Sequence, residues 1–146
     1  MLNKLSSDSD EVSPGEVPLL RYQAPLSDPN EDPFEGEERI QALLAHFKSA
    51  FGTEGQVFHE RVSDTVHIDV HLFTPPPGIP FYTLITAGMS RRPMNFPGQE
   101  QPLFAELMLL LPIDWQIDAD SMAQDPWFWP IAELKFLARF PHLYST

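Results

Sequence analysis

Apolar residues recur at the spacing of an amphipathic helix in the second quarter of the chain. Separations of three and four positions would align them in one stripe along a helix. Asp32 and Pro33 would begin this helix, because an acidic cap and a proline in the first turn both suit a helix start, and Gly52 would end it. The stripe consists of Ile40, Leu43, Leu44, Phe47 and Phe51.

From Gln56 onward the apolar residues alternate with polar ones, which predicts β-strands. A turn at Ser63 and Asp64 would join the first two strands, and the prolines at 75–77 would end the second, because proline has no N–H for a sheet ladder. The last strand is almost entirely apolar, which is typical of a strand buried on both faces. The predicted strands cover residues 56–60, 66–74, 81–88 and 104–111.

A second helix is predicted near the end of the chain. Ile131, Leu134 and Leu137 lie at helical spacing after Trp129 and Pro130, and residues 114–125 before them suggest an exposed connection. The helix would end near Phe140, since Pro141 disfavours the helical conformation in the preceding residue. The order of elements predicts an α+β fold: a mostly antiparallel sheet of four or more strands flanked by an N-terminal and a C-terminal helix.

Charge is distributed unevenly over the 146 residues. The formal net charge is −12, and residues 1–38 hold ten acids and two bases. We therefore predict an acidic, proline-rich tail over residues 1–33, largely disordered at its start, and one domain over residues 34–146. The lack of a basic face argues against nucleic acid as a partner.

Composition excludes several kinds of chemistry. The chain has no cysteine, so it has no disulfide, iron–sulfur cluster or thiol nucleophile. No secretory signal is recognisable, and the longest apolar stretch, residues 107–112, is far shorter than a membrane span. We expect a cytoplasmic protein with no membrane partner and no cofactor. The oligomeric state is not indicated.

One group of residues could bind a metal ion. His67, Asp69 and His71 would project from one face of the second strand, and imidazole with carboxylate is a common zinc or iron ligand set. Positions i and i+4 of a strand lie about 13 Å apart, so all three cannot reach one ion. His59 on the neighbouring strand is a conceivable further ligand. A small metal-dependent enzyme is thus the alternative function, and the simpler interpretation is a polar sheet face on which Asp69 hydrogen-bonds a histidine.

Three segments of the second half together resemble a known family. Residues 81–90 (FYTLITAGMS), 104–112 (FAELMLLLP) and 129–140 (WPIAELKFLARF) are similar in order and spacing to the suppressor of fused (SUFU) family. Residues 67–71 (HIDVH) look like the preceding strand of bacterial members. The resemblance covers roughly residues 34–146 and identifies the chain as a bacterial-type member, corresponding to the N-terminal part of the family's proteins.

The resemblance implies a binding function and no catalysis. Animal suppressor of fused regulates Hedgehog signalling by holding an extended segment of a Gli-type transcription factor between two lobes. Bacterial members occur as immunity proteins that neutralise toxins of polymorphic toxin systems by direct binding. We therefore expect a non-catalytic protein-interaction domain that binds an extended partner by strand addition. The acidic charge would suit a basic toxin domain.

The resemblance also suggests roles for individual residues. Tyr82 matches the tyrosine that lies near the partner segment in the animal protein, so Tyr82, Thr86 and Met89 are candidates for the partner-facing strand. Arg91 and its neighbours replace an acidic loop of the animal family, which implies a partner other than Gli.

Three further residues have structural interpretations. Trp129 would anchor the core, and Glu106 with Arg139 would form an ion pair that fixes strand against helix. Family members commonly continue into a second lobe, so the chain would be either the first part of such a protein or a minimal member of the family. In the first case its function could depend on the second lobe, and apolar surface would be exposed where that lobe packs.

Overall fold

A computed structural model describes residues 21–22, 36–61, 66–95 and 100–145. The predicted helix start at Asp32–Pro33, the predicted turn at Ser63–Asp64 and most of the acidic tail lie outside these residues. The strands are β1 (Arg21–Tyr22), β2 (Glu54–Phe58), β3 (Asp69–Phe73), β4 (Phe81–Ala87), β5 (Met108–Pro112) and β6 (Tyr144–Ser145). The helices are α1 (Glu37–Phe51), α2 (Ala119–Met122) and α3 (Asp125–Leu143), with one 3-10 turn at Met89–Arg91.

Four strands form one antiparallel sheet in the order β2-β3-β4-β5, so each strand pairs with its neighbour along the chain. Helix α1 precedes this sheet and α3 follows it, which confirms the predicted α+β class. A separate two-stranded pairing joins β1 to β6, with Arg21 opposite Ser145 and Tyr22 opposite Tyr144.

The sheet is covered on both faces by apolar side chains. On one face, β3, β4 and β5 pack against α2 and α3 through a buried cluster of Val70, Leu72, Leu84, Leu111, Met122, Ile131 and Leu134. On the other face, Phe73 and Ile85 pack against Phe47 of α1. On the second predicted strand, the face that the sequence predicted to be polar is therefore partly covered, because Phe73 and His71 are buried.

Glycine ends two elements at positive φ, where another residue would be strained. Gly52 follows α1 with φ +94°, as predicted. Gly88 follows β4 with φ +135°, and a Cβ on this residue would lie 1.9 Å from the carbonyl oxygen of His67. The backbones of residues 67 and 88 thus approach each other as closely as glycine alone permits.

Two sequence predictions about β5 are wrong. The strand begins at Met108, whereas the sequence predicted a start at Phe104. It is also not buried on both faces, because it is the last strand of the sheet and α1 does not cover it. Met108 and Leu110 are 54% and 45% exposed, while Leu111 is buried in the core.

Helix α3 continues past its predicted end at Phe140 to Leu143, with Pro130 and Pro141 inside it. A neighbouring loop holds the last turn: the N–H of Asn95 donates to the carbonyl oxygen of Pro141 at 2.8 Å, and its Nδ2 donates to that of His142 at 3.3 Å. These tertiary bonds cap carbonyl groups that a helix end leaves free, so they offset the local cost of proline.

Candidate functional site

The outer edge of β5 is the candidate site. Strand β5 pairs with β4 on one side, and within the described part of the chain no strand lies on its other side. Its side chains alternate: Leu109 and Leu111 pack against the core, whereas Met108 and Leu110 point to the surface on the face that α1 partly covers. An unpaired strand with exposed apolar residues is a template for pairing with another chain.

The hydrogen-bond pattern shows which backbone groups face outward. The N–H of Thr86 donates to the carbonyl oxygen of Leu107 at 2.9 Å, so this pair belongs to the hydrogen-bonded type. Opposed residues of antiparallel strands alternate between bonded and non-bonded pairs. With Leu84 opposite Leu109 and Thr83 opposite Leu110, the backbone groups of Leu109 face β4. The N–H and C=O groups of Met108 and Leu110 therefore point away from the sheet.

Proline suits the end of such an edge. Pro112 lies opposite Phe81 in a non-bonded pair, so its nitrogen faces outward and its missing N–H costs the sheet no hydrogen bond. The open edge therefore offers a partner two N–H donors and two carbonyl acceptors, from Met108 and Leu110, while the carbonyl oxygen of Pro112 already accepts the N–H of Trp115 at 3.0 Å.

The opposite edge of the sheet is less open. The pairing of β2 with β3 is interrupted by a register shift between Glu54 and Val57. Lys48 forms an ion pair with Glu54 at 3.0 Å, and Nε2 of Gln56 donates to the carbonyl oxygen of Ile117 at 3.2 Å. Bulges and charged side chains are the features by which proteins protect sheet edges from unwanted pairing.

The three predicted partner-facing residues lie at different depths. Tyr82 is half-buried on β4, opposite Leu111, and packs at the margin of the main core cluster. Thr86 and Met89 are buried, so the prediction that their side chains face a partner does not fit their positions. Thr86 instead supports the start of β5, because its hydroxyl accepts the N–H of Leu107 at 2.8 Å and donates to Glu106 at 2.7 Å.

Glu106 holds the segment that leads into β5. Its carboxylate accepts hydrogen bonds from the N–H groups of Gly88, Met89 and Ser90 at 2.9 to 3.2 Å. The hydroxyls of Thr86 and Ser90 donate to it at 2.7 and 2.6 Å. This carboxylate thus ties the end of β4 to the residue two positions before β5, which fixes where the open edge begins.

The predicted ion pair between Glu106 and Arg139 is replaced by another. Arg139 of α3 forms an ion pair with the buried carboxylate of Glu60, which also accepts the N–H of Ile68 at 2.9 Å. The sequence correctly indicated that Arg139 pairs with a carboxylate but not which one. Glu106 instead accepts backbone N–H groups, and Glu60 is the carboxylate that lies beneath α3.

Three histidines, His59, His67 and His71, each lie within hydrogen-bond distance of a carboxylate. Nδ1 of His59 lies 3.0 Å from Asp69, and Nε2 of His67 lies 3.1 Å from the other oxygen of the same carboxylate. This confirms the interpretation in which Asp69 hydrogen-bonds a histidine. Nδ1 of His71 lies 2.5 Å from Glu54 on the neighbouring strand.

No metal centre emerges from these pairs. Over residues 36–61, 66–95 and 100–145, no group of three or more histidine, aspartate and glutamate side chains is placed to hold a metal ion. The alternative of a metal-dependent enzyme therefore gains no support from the structure.

Burial and pairing shift the pKa of two groups near the sheet. Burial alone would raise the pKa of Glu54, but hydrogen bonds from Lys48 and His71 outweigh it and lower the pKa below its ordinary value. Burial lowers the pKa of His142, whose Nε2 is buried without a hydrogen-bond partner. Both shifts belong to groups that hold helices against neighbouring segments.

A second apolar surface lies on α3. Phe136 and Leu137 are exposed, and so is Trp129, which is 53% accessible and contacts Trp115 at 6.2 Å between ring centroids. The prediction that Trp129 anchors the core is wrong; Ile131 and Leu134, on the opposite side of the helix, fill that place.

Sequence reasoning missed Met108 and Leu110, the two residues that define the open edge. Their apolar character was interpreted as burial. The signal that could have identified the edge is Pro112, because a proline within a strand indicates an edge position.

Comparisons with known proteins agree with the predicted resemblance. A family model described as Suppressor of fused protein (SUFU) matches residues 64–146, which is more than half of the chain and includes β3, β4, β5 and α3. No curated protein and no solved structure matches the chain. In the described part of the chain, no helix is both long enough and apolar enough to span a membrane.

Proposed function

Since this chain belongs to the suppressor of fused family, we propose that it is a non-catalytic protein-interaction domain that captures an extended segment of a protein partner along β5. A protein-interaction role is what the family supports in general. The unpaired backbone of Met108 and Leu110, with both side chains exposed, is the observation that carries the proposal to this edge. Strand addition uses such groups for affinity and alternate side chains for selectivity.

The partner would be apolar at alternate positions. A segment paired with β5 would place every second side chain on the face of Met108 and Leu110, and the others toward the margin of the core near Tyr82. Of the three predicted residues, Tyr82 is the one with a partly exposed side chain, and it lies on β4, next to the edge strand. Thr86 and Met89 would act indirectly, by fixing the end of β4 and the start of β5.

Charge favours a basic partner. The segment after β5 carries four exposed acids and no base, namely Asp114, Asp118, Asp120 and Asp125. A partner strand that extends beyond Pro112 would meet this acidic segment, so lysine or arginine flanking its apolar residues would be attracted. We propose a basic toxin domain as this partner, with the chain acting in the cytoplasm as an immunity protein that neutralises the toxin by direct binding.

Peptide selection tests the interaction. A library of displayed random peptides would be panned against the full chain, and selected peptides would be measured by calorimetry against wild type, Leu110→Lys and Leu137→Lys. Leu110 and Leu137 have nearly equal exposure, 45% and 46%, on β5 and α3 respectively. We expect Leu110→Lys alone to weaken binding at least tenfold, which is about 1.4 kcal/mol. Equal binding to all three proteins would refute the β5 site.

Co-expression tests the immunity role. A basic toxin domain encoded beside the gene for this chain would be expressed with wild type, Leu110→Lys or Leu137→Lys, and growth would be compared. We expect protection by wild type and Leu137→Lys and loss of protection with Leu110→Lys. Toxicity that persists with wild type would contradict immunity without affecting the peptide result.

A further inference from the structure

We propose that two copies of this chain pair along their β5 edges, antiparallel about a two-fold axis at Leu109, to form one continuous eight-stranded sheet. This inference concerns the edge used by the proposed function but does not depend on it. The partner is a second copy of the chain, so the proposal can be tested with the purified chain and no other protein.

The backbone of β5 is self-complementary in this register. With the axis at Leu109, Met108 of one copy lies opposite Leu110 of the other, and the reverse. Because both residues direct their N–H and C=O groups outward, the two pairs exchange four hydrogen bonds and leave no donor of either residue unpaired. A shift by one residue in each chain would bring Pro112 into the paired segment, where it has no N–H for the carbonyl of Met108.

The side chains suit the same arrangement. Met108 and Leu110 lie on one face of β5 and are both about half exposed, so pairing would align four apolar side chains in one strip across the axis. Directly opposed apolar residues stabilise antiparallel strands.

The strand segments that would pair carry no exposed charge. The chain has a net charge of −12, but residues 103–113 contain one charged residue, Glu106. Its carboxylate is turned inward onto the backbone of residues 88–90, so neither copy presents a charge to the other along the strand.

The other edge of the sheet does not offer this geometry. Strand β2 carries the register shift after Glu54, and the ion pair with Lys48 occupies its beginning. Of the two edge strands of the sheet, β5 is therefore the one suited to pair with its own copy about a two-fold axis.

Sedimentation equilibrium of the full chain tests the proposal. We expect wild type to approach twice the 16.6 kDa of one chain at high concentration and to dissociate on dilution. Leu110→Lys should raise the dissociation constant at least tenfold, because it places an ammonium group in the apolar strip, whereas Leu137→Lys should leave it unchanged. Circular dichroism would verify that both variants are folded.

Cross-linking tests the register. The natural chain has no cysteine, so Leu109→Cys introduces a single thiol. Opposed residues of a non-bonded antiparallel pair have Cα atoms about 4.5 Å apart, which is within disulfide range. We expect oxidation to give a covalent dimer with Leu109→Cys and none with Leu137→Cys.

Three results would overturn the proposal: a wild type that stays at the mass of one chain at the highest soluble concentration, equal dimerisation of Leu110→Lys and wild type, or no cross-link through residue 109. Failure of the proposed function would look different. Peptide affinity is measured at dilutions where the chain is monomeric, so loss of peptide binding and loss of self-pairing can each occur without the other.

Discussion

Ser90 donates two hydrogen bonds to the carboxylate of Glu106, one from its backbone N–H at 2.9 Å and one from its hydroxyl at 2.6 Å. The same oxygen also accepts the N–H of Gly88 at 3.0 Å. The carboxylate thus accepts the N–H groups of residues 88–90, while the backbone of the turn itself bonds the N–H of Arg91 to the carbonyl oxygen of Gly88 at 3.0 Å. The turn after β4 and the entry to β5 are therefore stabilised by one side chain.

Replacement of Glu106 by glutamine should destabilise the domain. Glutamine keeps one acceptor oxygen but turns an NH₂ group toward backbone donors, so at least two of the five hydrogen bonds are lost. Hydrogen bonds to a charged group contribute about 1.5–3 kcal/mol each, and we expect a loss of about 2–4 kcal/mol in the free energy of unfolding. Urea unfolding measures it, with Glu133→Gln on the exposed face of α3 as the control. A loss no greater than that of the control would contradict the role of Glu106.

Two glycines with positive φ should respond very differently to alanine. Gly88→Ala would place a Cβ 1.9 Å from the carbonyl oxygen of His67, whereas nothing lies within 4 Å of the Cβ position at Gly78. We expect Gly78→Ala to cost about 1 kcal/mol from backbone strain alone and Gly88→Ala to cost more than about 3 kcal/mol or to prevent folding. Thermal unfolding of both variants would show it. Similar midpoints would mean that residues 67 and 88 are not in close approach.

Arg139 should be coupled to Glu60 and not to Glu106. Removing Arg139 leaves the carboxylate of Glu60 buried without its ion pair, so Arg139→Met should cost about 3 kcal/mol. A double-mutant cycle with Glu60→Gln should give a coupling energy above about 1 kcal/mol, while a cycle with Glu106→Gln should be additive within about 0.5 kcal/mol. A larger coupling energy with Glu106 than with Glu60 would support the ion pair predicted from sequence.

Stability should fall as the solution is acidified below the ordinary pKa of histidine. Burial lowers the pKa of His142 from 6.5, so the unfolded chain binds a proton more readily than the folded one. The stabilisation is complete above pH 6.5 and is lost as pH falls toward the lower pKa of the folded state. His142→Gln should flatten this part of the stability profile, whereas His46→Gln, an exposed change on α1, should not. An unchanged slope in His142→Gln would contradict the prediction.

The elements whose pattern is set by one periodic face were predicted correctly from sequence. The stripe that ends at Phe51 gives α1, and the alternation around Val70 and Leu84 gives β3 and β4. In α1 burial follows one stripe, whereas both faces of β3 and β4 are covered and their alternation comes from polar residues such as His71 and Thr83 that lie between apolar ones. The boundaries were less accurate: β2 lies two residues earlier than predicted, since pairing with β3 and not local propensity decides where a strand begins.

Features that depend on distant partners were not predictable in this way. The apolar run of β5 is compatible with a central strand and with an edge strand, and only the order of strands in the sheet shows that Met108 and Leu110 are exposed. Proline disfavours the helical conformation in the residue before it, but the hydrogen bond from Asn95 to the carbonyl oxygen of Pro141 stabilises the last turn of α3. The partner of Arg139 likewise depends on which carboxylate lies beneath α3.

The antiparallel pairing of residues 21–22 with residues 144–145 brings the two ends of the described fold side by side. A circularly permuted protein could therefore join Ser145 to Arg21 by a short linker and open at Gly78, in the turn between β3 and β4, where a side chain would meet nothing within 4 Å. In such a protein β4 would come first and β3 last. The central ladder of the sheet would then close between opposite ends of the chain, which raises the contact order and should slow folding without removing any native contact.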